Sequence, residues 1–206
     1  IGNFVSKQNS LFRRPNMKFT EGYWEKNERA NAIHAAQAFI VEKIPHGMKV
    51  VAPTRVITDR AGALDVSTIT TEFTSIRKDI ISVRSYHYEG YDKKEPRYEL
   101  FEDYQDTEVE INEKEAVMTA GNVAVRVNRE DFKVTFEADG KVLTSIGFRN
   151  LGYMQYDRKT LTKFPEDNYM AADYKPYMMT ELSLDAGECV YGLGERFTAF
   201  VKNGQV

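Results

Sequence analysis

Cysteine, histidine and net charge are all scarce in this chain, and each shortage removes a class of function. One cysteine, Cys189, occurs in 206 residues. No internal disulfide can therefore staple the fold, and the composition fits a reducing compartment. The three histidines, His34, His46 and His87, fall at spacings that match no zinc site, so no metal is expected. Lys and Arg number 28 against 31 Asp and Glu, for a formal net charge of −3. That balance attracts neither a nucleic acid backbone nor an anionic membrane. No apolar run approaches the roughly 20 residues of a membrane span. The first residues hold no basic stretch followed by an apolar core, so no secretory signal is expected. Asn-x-Ser/Thr is absent as well, and the expected location is cytoplasmic.

What is abundant is period-two alternation. Hydrophobic residues make up 42% and charged residues 29%, the range of a globular protein large enough to bury a core. Val123, Val125 and Val127 share one face of "VAVRVN", and Phe132, Val134 and Phe136 alternate with polar neighbours. Asp139-Gly140 then separates that run from Val142-Leu143, a strong hairpin signal, and Gly121-Asn122 makes a second such turn. Further strands are expected at Ala38–Glu42, Met48–Ala52, Ile69–Ser75, Ile80–His87, Thr107–Asn112 and Met178–Leu184, where β-branched and aromatic residues concentrate. Such closely spaced strands predict an all-β antiparallel sandwich. The residues "NERANAIHAAQAF" have room for one short helix, and no repeat of fixed period is present.

Two segments depart from the alternation. Glu89–Glu108 is a charged loop containing Pro96. Gly152–Met179 carries Tyr153, Tyr156, Tyr169, Tyr174 and Tyr177, and reads as a long loop that stacks on a sugar, packs on the protein's own sheet or packs on a neighbouring domain. Cys189, at an expected strand start, reads as a small core residue because no basic neighbour activates it. The acidic run "EDYQDTEVEINE" lacks the register of a calcium loop and reads as a charged edge strand. No acid–base pair of carboxylates can be singled out. Near the end, Gly192-Leu193-Gly194 opens like a dinucleotide fingerprint, but Phe197 stands where the third glycine belongs and no βαβ unit precedes it. A turn that needs glycine's backbone freedom remains.

The same stretch, "VYGLGERFTAFVKNGQV", resembles the segment near the end of the N-terminal domain of glycoside hydrolase family 31, in its α-xylosidase branch. "MKFTEGYW", Met17–Trp24, is similar to the amino terminus of that branch, and Gly121–Ser145 is similar to its paired strands. The resemblance covers Met17–Val206, so residues 17–206 are expected to be the N-terminal domain and residues 1–16 an upstream extension. It implies a β-sandwich of galactose-mutarotase-like type, truncated at its C-terminal end. It also implies a following (β/α)8 barrel as the domain's partner and α-linked xylosides or glucosides as substrates of the intact enzyme. Homo-oligomers in which this domain takes part are common in the family. Both catalytic aspartates belong to the barrel, and a substrate-contacting aspartate follows the motif that here is Asn203-Gly204-Gln205, so this chain holds no catalytic or substrate-binding residue and calls for no cofactor. Gly192, Gly194, Glu195, Arg196, Phe197 and Phe200 are expected at the domain interface or the approach to the active site, with the two phenylalanines anchored by burial. The rival expectation is a stand-alone carbohydrate-binding or scaffold module, motivated by the tyrosines of Gly152–Met179.

Overall fold

Alternation becomes sheet throughout the residues described by the computed structural model, which are 20–21, 25–26, 30–88, 101–157, 174–192, 194, 197 and 199–204. Among them there is no helix. In chain order the strands are β1 (Thr20–Glu21), β2 (Glu25–Lys26), β3 (Ala30–His34), β4 (Ile40–Ile44), β5 (Gly47–Pro53), β6 (Thr68–Arg77), β7 (Ile80–Tyr86), β8 (Glu108–Ile111), β9 (Glu115–Ala120), β10 (Val123–Asn128), β11 (Val134–Ala138), β12 (Lys141–Ile146), β13 (Leu151–Asp157) and β14 (Tyr174–Thr180). The chain divides into a larger unit, Ala32–Gln155 with Pro176–Glu188, and a smaller one, Ile1–Asn31, Tyr156–Lys175 and Cys189–Val206.

The larger unit is the expected antiparallel sandwich. One sheet has the order β4-β5-β6-β7 and the other β12-β11-β10-β9-β8. β6 shows how sequence places its faces. Ile69, Thr71, Phe73 and Ser75 are buried, while Thr70, Glu72 and Thr74 between them are only partly so. The two buried polar side chains are satisfied: the Thr71 hydroxyl meets that of Ser85 at 3.0 Å, and Ser75 donates to the Arg77 carbonyl at 3.3 Å. Met48, Val50, Ala52, Ile69 and Phe73 of the first sheet share one core with Met118, Val125, Val127, Val134 and Ile146 of the second. Phe73 and Phe136 bridge the sheets with ring centroids 6.4 Å apart. Each such large side chain contributes about 1.5–3 kcal/mol when removed from water.

Turn chemistry fixes the registers. Asp139 (φ 49°) and Gly140 (φ 72°) form the two-residue β11–β12 hairpin that the sequence announced. Gly121 (φ 65°) turns β9 into β10, and the Asp79 carboxylate accepts the Asn122 amide proton at 2.9 Å. That bond ties the β6–β7 hairpin to the β9–β10 hairpin. The acidic run does contain an edge strand, β8, with Glu108 and Glu110 exposed and pairing on one side only, to β9. The rest of the charged segment, as far as it is described, docks on the sheet. Asp103 and Gln105 donate their amide protons to Ile76 and Ser75 at 2.9 and 3.2 Å.

Four expectations about local structure need correction. "NERANAIHAAQAF" forms no helix where it is described: residues 30–34 are β3, and 35–39 are irregular. Gly152–Met179 is not one loop, because it contains all but the first residue of β13 and all but the last residue of β14, with residues 158–173 outside the described residues. A third sheet runs β14-β13-β3. The strand expected at Met178–Leu184 ends at Thr180, beyond which Ser183 docks on β12, donating its amide proton to Ser145 at 2.8 Å. Phe132 is buried but lies ahead of β11, at φ 46°, rather than in the strand.

Candidate functional site

The described residues of the terminal glycine stretch carry two locally set backbone features. Gly192 and Gly194 sit at φ 88° and 78°, and a Cβ on either would meet nothing within 4 Å. They are required for their backbone angles, not for space. Two hydrogen bonds draw the ends of the stretch together. Lys202 donates its amide proton to the Val190 carbonyl at 2.8 Å, and Val190 donates its own to the Asn203 side-chain carbonyl at 2.8 Å. Asn203, the first residue of the Asn-Gly-Gln motif, thus closes the stretch that Gly192 and Gly194 open.

Its aromatic residues face outward. Phe197 is fully exposed at 103%, and Phe200 is 77% exposed, with its ring 5.1 Å from that of Tyr191. Neither phenylalanine is buried by this chain. Glu195 and Arg196 lie outside the described residues. Cys189 is exposed and belongs to no strand, in contrast to the core position expected of it.

The tyrosines of Gly152–Met179 divide. Tyr153 is 4% exposed and donates its hydroxyl proton to Ser67 at 3.2 Å, so it packs on the protein's own sheet. Its ring stacks on His87 with centroids 4.0 Å apart and planes 10° from parallel. Tyr153 and His87, with Tyr86, Tyr88, Tyr177 and Met178, wall a hollow of about 240 Å³. The sequence reading missed the contribution of Tyr86 and Tyr88. Tyr86 ends β7 and Tyr88 lies past it, so strand alternation does not set the side of Tyr88, and no period marked the pair in the sequence. Tyr169 lies outside the described residues, and so do the side chains of Tyr156 and Tyr174.

Other polar clusters are explained by the fold. Arg126 bonds Glu115 at 2.7 Å and Glu137 at 3.3 Å across β9, β10 and β11. Its guanidinium is held above the usual arginine range, chiefly by the Glu115 hydrogen bond, against the effect of burial. Two carboxylates meeting one guanidinium on a partly exposed strand face are an ion-pair ladder rather than an acid–base pair. A wider recess of about 530 Å³ includes Arg55, His34 and Arg149. Arg55 spends its Nε proton there on the Gly62 carbonyl at 3.1 Å, pinning the loop before β6. Among the described residues, no group of three or more His, Cys, Asp or Glu could hold a metal ion. Nor is any helix among them long and apolar enough to cross a membrane.

Against known families, the glycosyl hydrolase 31 N-terminal galactose mutarotase-like domain matches residues 70–206. The chain belongs to this family. The match takes in the whole glycine stretch together with β6 from Thr70 onward and β7 to β14. Two curated relatives extend the likeness toward the amino terminus. One is "Alpha-xylosidase XylQ" of Lactiplantibacillus pentosus, 30% identical over 92% of this chain and 23% of that protein. The other is "Alpha-xylosidase" of Emericella nidulans, 33% identical over 92% of this chain and 25% of that protein. The chain therefore spans about a quarter of the length of each. The cycloalternan-forming enzyme from Listeria monocytogenes in complex with a pentasaccharide substrate has a TM-score of 0.46 at 12% identity, over 61% of this chain and 11% of that one. Within the glycosyl hydrolase 31 domain described here, Gly192, Gly194, Phe197 and Phe200 are placed in one outward-facing stretch.

Proposed function

We propose that residues 17–206 serve as the N-terminal, non-catalytic sandwich of a cytoplasmic, retaining α-xylosidase. The observation that carries this reading is identity of 30% and 33% to two α-xylosidases across 92% of the chain. Retention requires two carboxylates about 5–5.5 Å apart, one a nucleophile and the other an acid and then a base. In this reading both are supplied by a (β/α)8 barrel beyond this domain, and residues 1–16 are an upstream extension. The chain's own contribution is to hold the stretch of Gly192, Gly194, Glu195, Arg196, Phe197 and Phe200 against that barrel. The left-handed backbone at the two glycines and the bond from Val190 to Asn203 fix its described ends, and the exposed rings of Phe197 and Phe200 offer apolar contact area.

The experiment is a comparison of the 206-residue chain with the longer protein that contains it. An aryl α-xyloside should release no aglycone above blank with the chain alone. The longer protein should turn it over with a higher kcat/KM than the matching α-glucoside. Turnover by the chain alone sinks the non-catalytic assignment, and preference for the glucoside moves the enzyme to α-glucosidase.

A further inference from the structure

We infer that the hollow walled by Tyr86, His87, Tyr88, Tyr153, Tyr177 and Met178 binds a single pyranose ring. Its floor is preorganised. Tyr153 is buried, stacked on His87 at 4.0 Å and held by its hydroxyl on Ser67, while the His87 ring nitrogen Nδ1 lies 2.9 Å from the Thr68 carbonyl. Held rings cost little ordering when a ligand arrives. Its rim is the opposite: Tyr88 is 77% exposed, a large aromatic ring presented to solvent. Among the described residues no Asp, Glu, Lys or Arg lines the hollow, and Glu72 and Arg84, which both engage Tyr86, are paired with each other, which argues against an ionic ligand. Sites for drug-sized ligands run from about 300 Å³ upward. At about 240 Å³, this hollow suits one six-membered ring rather than a chain of them. A ring with an apolar C–H face for the aromatic walls and hydroxyls for the tyrosine oxygens and the solvent is a pyranose. The choice of xylose among pyranoses rests on the proposed α-xylosidase reading.

The test uses the 206-residue chain labelled at its methionine methyl groups, with the Met178 signal identified by its loss in Met178→Leu. Titration with methyl α-D-xylopyranoside should move the Met178 methyl saturably, with Kd on the order of 1 mM. Met48 and Met118, buried in the core, should stay still and report an intact fold. Tyr88→Ala should weaken binding at least ~10-fold, and Tyr88→Phe, which keeps the ring, by less than ~3-fold. The inference is overturned by a Met178 signal that fails to move at about 50 mM sugar. It is equally overturned by unchanged affinity in Tyr88→Ala, by equal losses in the two variants, or by a Met178 response to p-cresol but not to the xyloside. None of these results bears on turnover, so loss of this site leaves the enzyme assignment to be judged by xyloside release.

Discussion

Phe197→Ala separates what this chain needs from what a neighbouring domain needs. The ring is 103% exposed, so the chain's own folding gains nothing from burying it. Its removal should leave the urea stability of the 206-residue chain within about 0.5 kcal/mol of the parent. Phe200→Ala should cost slightly more, because the Phe200 ring lies 5.1 Å from Tyr191. Aromatic pairs contribute about 0.5–1.5 kcal/mol, and at 77% exposure the lower end applies. In the longer protein the order should reverse. A phenylalanine fully covered by a barrel contributes about 1.5–3 kcal/mol through area removed from water. Phe197→Ala should then shorten the half-life of thermal inactivation, and xyloside kcat/KM should fall up to ~10-fold if about 1.4 kcal/mol of that contact reaches the transition state. Urea midpoints for both variants in both proteins, with aryl α-xyloside kinetics for the longer one, complete the comparison. Destabilisation of the 206-residue chain by more than about 1 kcal/mol in Phe197→Ala, or no effect in the longer protein, refutes the docking argument.

The clasp between hairpins predicts non-additivity. Asp79→Ala removes the acceptor of the Asn122 amide and costs about 1 kcal/mol, while Gly121→Ala places a Cβ 2.4 Å from the Asp79 carboxylate at φ 65° and costs about 2 kcal/mol as strain plus the lost bond. The double variant should stay near 2 kcal/mol, a coupling of about −1 kcal/mol in denaturant midpoints; simple additivity refutes the clasp. Gly47→Ala should be far worse than its chemistry suggests, by about 3 kcal/mol or more, because its Cβ would stand in the Phe73 carbonyl group across the β5–β6 ladder; a midpoint near the parent's contradicts that placement. Tyr153→Phe keeps the stack on His87 but loses the hydroxyl bond to Ser67, so thermal unfolding should report about 1 kcal/mol of destabilisation, and an unchanged midpoint would mean that the bond contributes nothing net.

The strands that could be read from sequence are those whose two faces see different environments. β6 alternates because its inner residues meet the opposite sheet while Thr70, Glu72 and Thr74 look outward, and the alternation is written in residue type. Turns were equally legible, since Asp139-Gly140 encodes its backbone angles locally. β13 could not be read this way. Leu151, Gly152, Tyr153 and Met154 are all buried, so neither face is polar and no period two appears. Gly152 is there for close approach: a Cβ would fall 2.5 Å from the Ile33 carbonyl of β3. β3 itself is alanine-bearing sequence that leans helical in isolation. Its pairing with β13 overrides that preference, and the pairing depends on residues more than a hundred positions away.

The candidate site was legible in the same uneven way. Glycine has two uses that look identical in a sequence. At Gly47 and Gly152 a side chain has no room, whereas at Gly192 and Gly194 there is open space and only the backbone angle demands glycine. Reading the terminal stretch as a turn was therefore sound, because that property is local. The burial expected of Phe197 and Phe200 is a different matter, because it concerns a domain interface and this chain by itself leaves both rings exposed. Hydrophobicity states a preference for cover and does not say which molecule or domain supplies it. The hydrogen bonds from Lys202 to Val190 and from Val190 to Asn203 tie the ends of the stretch without using the fully exposed Phe197 ring. In the proposed reading, the exposed Phe197 and Phe200 rings meet a surface supplied by another domain. That is the physical content of placing it at a domain interface, and it is why the exposed rings rather than the glycines should decide the question.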